Sequence, residues 1–198
     1  MQRAALALHL LDRFRCVTRA KSDAVEMRAV ASAFGVARLI GAQLPTEGDF
    51  MDRYWTTLGP VIYLPRHSGP LSDHLRVLAH EVTHAVQFWR EGPSFALDYA
   101  GRRGRAELEA EAERGAIEVW WLLTGELPAS RDELEITRHG YAMDSGPGPH
   151  DDHADLTRDL LETACTSVRA GLLSTDVGLE VLAWLQRHAP DARVGVPA

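Results

Sequence analysis

The stretch from Ser72 to Glu91 constrains this chain more than any other part. Leu75, Leu78, Ala79, Val82, Ala85, Val86 and Trp89 recur at helical spacing, so the segment reads as a helix buried on most of its circumference. Ser72 is the expected N-cap, and Gly92-Pro93 the expected stop. Such a helix must be covered by other elements. Two imidazoles, His80 and His84, stand one turn apart on the same face among these apolar neighbours. Burying two imidazoles without a partner costs free energy. A shared ligand is therefore expected, and the spacing lets both rings reach one tetrahedral Zn2+.

Glu81, between them in His80-Glu81-Val82-Thr83-His84, points about 100° round the helix from His80. It is poorly placed as a ligand but can reach a water in an open coordination position, the place of a general base. Catalytic zinc sites use three protein ligands, so a third must come from elsewhere. Ala106–Ala116 offers Glu107, Glu109, Glu111 and Glu113 at every second position, which a helix points in four directions. From Glu109 the helical stripe continues through Ala112, Glu113, Ala116 and Trp120, small and apolar enough to pack on the first helix. From Glu107 it runs through Ala110, Glu111, Arg114 and Glu118, which reads as a solvated face. Glu109 is the expected third ligand, with Glu107 as its rival, and Glu113 the expected carboxylate behind a histidine N–H. The bland alternative puts all four glutamates on the surface.

His80-Glu81-x-x-His84 followed by Glu109-Ala110-Glu111-Ala112-Glu113 resembles the gluzincin metallopeptidases, in particular minimal ImmA/IrrE-like catalytic domains. The resemblance covers about residues 56–125 and departs at Glu113, where that group often has Asp or Asn. It implies a zincin-like core with two active-site helices, Zn2+ on His80, His84 and Glu109, and hydrolysis of peptide bonds with Glu81 as base.

The remaining pattern predicts an α+β fold, mostly α, with a small edge sheet. One domain over residues 1–198 is expected, with helical segments at 1–41 and 153–188 flanking the core. Residues 3–33 read as one or two helices, punctuated by Gly35 and Gly41; residues 45–49 read as a loop. Thr56 to Leu64 reads as extended, confined to a sheet edge by Pro60 and Pro65. Its Val61–Leu64 part is a candidate edge for an added peptide strand. A loop with Gly101 and Gly104 precedes a helix from about Arg105 to Thr124, and two more helices are expected near 153–171 and 175–188. His139 and Tyr141 are candidates to stabilise an oxyanion, against the plainer reading of an ordinary turn. His150 and His153, among Asp151, Asp152 and Asp155, form a second candidate cluster, against a solvated loop entering a helix. His67 and His74 are placed near the cleft, and Trp120-Trp121 in helix core or a lid.

Composition narrows the function classes. A net charge of -7 argues against nucleic acid as partner, although residues 1–41 hold seven Lys/Arg against three Asp/Glu. Cys16 and Cys165 are too few for a disulfide framework and read as buried thiols. Ala4 to Leu11 is short for a secretory signal and reads as a packed helix, and no run is long enough to span a membrane. A cytoplasmic protein acting on a peptide or protein substrate is expected, without membrane partners. Two other classes compete: a non-catalytic zinc sensor or structural domain, and an interaction module whose motif is incidental.

Overall fold

The computed structural model describes residues 2–39, 46–100, 102–128 and 152–190. Among them are eight α-helices and a three-stranded mixed sheet, the mostly helical α+β architecture expected from the pattern. The helices are α1 (Gln2–Arg13), α2 (Val25–Leu39), α3 (Glu47–Arg53), α4 (Leu75–Glu91), α5 (Ser94–Ala100), α6 (Arg102–Thr124), α7 (Asp152–Arg169) and α8 (Asp176–His188). The strands are β1 (Val17–Ala20), β2 (Thr56–Leu58) and β3 (Val61–Leu64), in the order β1-β3-β2. None of the described helices is long and apolar enough to cross a membrane.

α6 organises the helical layer. It packs most extensively on α4, then on α7 and α8. The crossing with α4 is close because Gly115 has no side chain: a Cβ there would fall 2.5 Å from Thr83 Oγ1. Thr83 turns that hydroxyl back onto Ala79 O, 2.8 Å away, so no polar group is orphaned at the contact. Leu78, Ala79, Val82 and Ala85 of α4 meet Val119 and Leu122 of α6, Leu6 and Leu10 of α1, and Val181 and Trp184 of α8 in one core. A second core joins Met27 and Ala31 of α2 to Phe50 and Met51 of α3 and Tyr63 of β3; a third joins Ile117 to Leu161 and Val168. Trp121 packs against this third core, and both cysteines are buried free thiols.

Several local expectations need correction. Residues 3–33 are interrupted by a strand. Arg15, at φ 53°, ends α1, and Val17–Ala20 then pairs in parallel with β3, Val17 opposite Val61. β-branched Val17 and Thr18 suit that pleat, a signal overridden by the helical spacing on either side. Gly35 lies inside α2, and Glu47–Arg53 is a helix capped by Thr46, which accepts from Asp49 N at 3.0 Å. Pro60 sits in the Gly59-Pro60 turn and Pro65 beyond the last strand residue. Neither interrupts pairing, so β3 is the central strand, bonded on both sides. A peptide cannot add to Val61–Leu64. Ser72 bonds Asp73 within a 3-10 turn, and His74 precedes α4 instead. Residues 94–100 form α5 where a loop was expected, and Gly104 lies within α6. Trp89 is 56% exposed, lining a surface depression with Arg13, Phe14 and Leu179 rather than the core.

Candidate metal centre

The close α4–α6 crossing brings His80, His84 and Glu109 together, buried or nearly so. His80 Nε2 lies 3.1 Å from His84 Nε2, and Glu109 Oε2 lies 3.2 and 3.4 Å from the two nitrogens. Ligand atoms 2.0–2.1 Å from a tetrahedral ion stand about 3.3 Å apart. The triangle has the dimensions of one face of such a site.

Hydrogen bonds behind the triangle decide which atoms face it. The Gln87 amide donates to Leu108 O (2.8 Å) and Glu111 Oε2 (3.0 Å), so its oxygen must face His84 Nδ1, at 2.8 Å. In the neutral ring Nδ1 therefore carries the proton and Nε2 the lone pair. His80 Nδ1 likewise faces the acceptor Glu113 Oε2 at 3.3 Å, and Arg76 donates to the other Glu113 oxygen at 2.7 Å. Glu109 Oε2 is a buried oxygen without a hydrogen-bond donor of good geometry. Its mate Oε1 accepts from the Tyr99 hydroxyl. Three potential ligand atoms thus converge in a buried place, an arrangement that one shared cation would satisfy. The donor set fits a divalent ion, and on this observation the candidate metal site rests.

Without an ion, positive charge must come from the rings themselves. Burial lowers the affinity of His80 for a proton, but its hydrogen bonds and charge interactions with Glu109 and Glu113 prevail and hold its pKa well above 6.5. His84 shifts upward too, burial again being outweighed by Glu109. Burial would raise the Glu109 carboxyl, yet the charge of His84 and the hydrogen bonds of both histidines hold it well below the usual carboxylate range. Tyr99 is pushed far above 10 by burial and by Glu109, which keeps it a donor.

The group lies at the floor of a cleft of about 1130 Å³. Glu81 also lines it and is held from β2: Thr57 Oγ1 donates to Glu81 Oε2 at 2.7 Å. Phe34, Phe50, Tyr54, Trp55 and Phe95 make much of the wall, and His67 and His74 line it as expected. β2 runs beside this cleft, and among the described residues no strand pairs with its outer edge.

Of the expected site residues, the structure gathers His80, His84 and Glu109, puts Glu81 on the cleft lining and brings Glu113 within 3.3 Å of His80 Nδ1. Glu107 is exposed and paired with Arg103 at 2.9 Å, so it is not a rival ligand. The stripe through Glu107 is not solvated throughout, because Ala110 and Glu118 are buried. His139, Tyr141, His150 and Asp151 lie outside the described residues, as do the side chains of Asp152, His153 and Asp155. Thr57, Gln87 and Tyr99 were not anticipated. Gln87 had one available signal: it is a polar residue three positions after His84, on the helix's buried side. Thr57 and Tyr99 come from other elements, and no spacing announces them. Compared with protein-family models, curated proteins and solved structures, the chain matches none.

Proposed function

We propose that this chain is a zinc-dependent peptidase of gluzincin type, with His80, His84 and Glu109 as ligands and Glu81 as general base. The observation that carries the reading is the convergence of three buried ligand atoms, 3.1 to 3.4 Å apart, at the floor of an open cleft beside the carboxylate of Glu81. When bound, a zinc ion polarises a carbonyl oxygen and lowers the pKa of a coordinated water to about 7. Glu81 takes a proton at one carboxylate oxygen and later hands it to the leaving amine. Thr57 fixes the other oxygen, Oε2, and so sets the direction in which the base presents itself. The open outer edge of β2 offers main-chain donors and acceptors to an extended peptide, in place of the buried edge of β3. Aromatic walls exclude water and receive bulky side chains.

A purely structural site needs no carboxylate oriented beside an open cleft, which separates this reading from a zinc sensor. The test has two stages. Protein purified without added metal is expected to carry one zinc per chain, and His84→Ala to carry none; equal, negligible contents in both would end the metal reading. Glu81→Gln is expected to keep zinc while hydrolysis of a peptide mixture falls about 10²–10⁴-fold. Unchanged cleavage would remove Glu81 as base.

A further inference from the structure

The carboxylate of Glu109 is held asymmetrically. Oε2 faces the two imidazole nitrogens, and Oε1 accepts from the Tyr99 hydroxyl. The Tyr99 ring lies 5.7 Å from that of Phe95 and edge-on to His84 at 6.0 Å. α5 thus delivers a donor to one oxygen of a ligand supplied by α6. A carboxylate with both oxygens available can chelate an ion and occupy two coordination positions; one whose second oxygen is engaged supplies a single position. Catalysis of the kind proposed needs three protein ligands and a fourth place left open.

We infer that Tyr99 is a positioning residue that keeps Glu109 monodentate and so preserves the open coordination position. The inference rests on the metal-binding reading above. It assigns to α5 a role in the coordination sphere that neither the His-Glu-x-x-His stretch nor the glutamate helix carries. Tyr99 acts through Glu109 and need not touch substrate. Partners behind a metal ligand have measurable weight in other sites, about 10–100-fold in affinity when removed. Here the expected signature is a change in coordination number.

The test loads the full metal-free chain with Co2+, whose visible d–d absorption is intense in four-coordinate sites and several-fold weaker in five-coordinate ones. Wild type, Tyr99→Phe and Leu97→Ala, an exposed position of α5 outside the cleft, are compared at one cobalt per chain. Wild type and Leu97→Ala are expected to give the intense band. Tyr99→Phe is expected to bind the ion with a several-fold weaker band, as Oε1 becomes the extra ligand. An intense band from Tyr99→Phe overturns the inference, as does a weak band from wild type. A weak band from Leu97→Ala also overturns it, since any disturbance of α5 rather than loss of the hydroxyl would then set denticity. So does complete loss of cobalt from Tyr99→Phe alone, which would make the hydroxyl necessary for capture. Failure of wild type to take up either cobalt or zinc removes the metal reading itself, a separate result.

Discussion

Two of the three buried carboxylates of α6, Glu109 and Glu118, look alike in burial and opposite in partnership. Glu118 is fully buried and surrounded by donors: Ser174 N at 2.9 Å, Thr175 N at 3.1 Å, the Thr175 hydroxyl, and Arg114 Nε at 3.0 Å. The Ser174 and Thr175 donors stand at the N-terminus of α8, where the helix dipole also favours a negative charge. Glu109, nine residues earlier, turns one oxygen to Tyr99 and the other toward the Nε2 atoms of two histidines. A carboxylate whose donors are all present is finished as a structural element. One that faces two imidazole nitrogens instead fits a shared cation. Burial alone does not separate structure from function; the chemistry of the surrounding atoms does.

The contrast breaks most directly at the two glutamates themselves. Glu118→Ala leaves buried N–H groups and Arg114 without their acceptor and is expected to cost about 3–5 kcal/mol, read from denaturant unfolding of the zinc-loaded protein. Glu109→Ala should lose instead the stabilisation that zinc provides, about 4 kcal/mol at a thousandfold excess over Kd. With a chelator present, the two variants should separate further. If Glu118→Ala loses zinc as completely as Glu109→Ala, the division of labour along α6 is wrong.

The pH dependence follows from the same difference. In the metal-free protein the pKa values of His80 and His84 lie above the ordinary 6.5. Their contribution to stability is complete below about 6.5 and is lost as pH rises through the raised values. Glu109 and Glu113 are lowered, so their contribution is complete above about 4.5 and is lost as pH falls through the lowered values. Zinc requires neutral imidazoles, so its affinity rises with pH. The gap in Tm between zinc-loaded and chelated protein should widen from about pH 6 to about pH 8. A constant gap would mean that the rings are not the ligands.

Smaller effects sharpen the picture. Gln87→Ala frees the Nδ1 proton of His84 from its acceptor and should weaken zinc binding about 10–100-fold in competitive titration, with little loss of fold. Thr175 caps α8, accepting from Gly178 N at 3.0 Å while donating to Glu118. Thr175→Ala is expected to cost about 1 kcal/mol in urea unfolding and to leave zinc affinity unchanged. A shift in affinity there would show that the two ends of α6 are coupled.

Some of this architecture is legible along the chain. α4 ends at Glu91 with Gly92 as its cap, and α6, α7 and α8 fall close to their expected spans, because long amphipathic patterns and Gly or Pro stops are local signals. β1 was hidden because four residues between two helices carry too little periodicity to outweigh their neighbours. Short α3 and α5 were read as loops for the same reason. Among the glutamates of α6, the stripe that favoured Glu109 over Glu107 was correct, while the face assigned to solvent proved partly buried at Glu118. That error has a physical source: helical spacing reports which residues share a face, and only the packing of α8 reveals what that face meets.

Sequence alone determined the parts of the centre that sit on single helices. One turn of α4 fixes the separation of His80 and His84, and the stripe of α6 fixes which glutamate can face them. Tertiary structure decided everything supplied from elsewhere. Thr57 arrives from β2 and Tyr99 from α5, while Arg76, one turn before His80 on α4, reaches across to Glu113. Local periodicity encodes direction around one helix axis. The distance between two helices, and the hydrogen bonds that turn a ligand atom toward a shared point, depend on contacts such as Gly115 against Thr83 that no single segment contains.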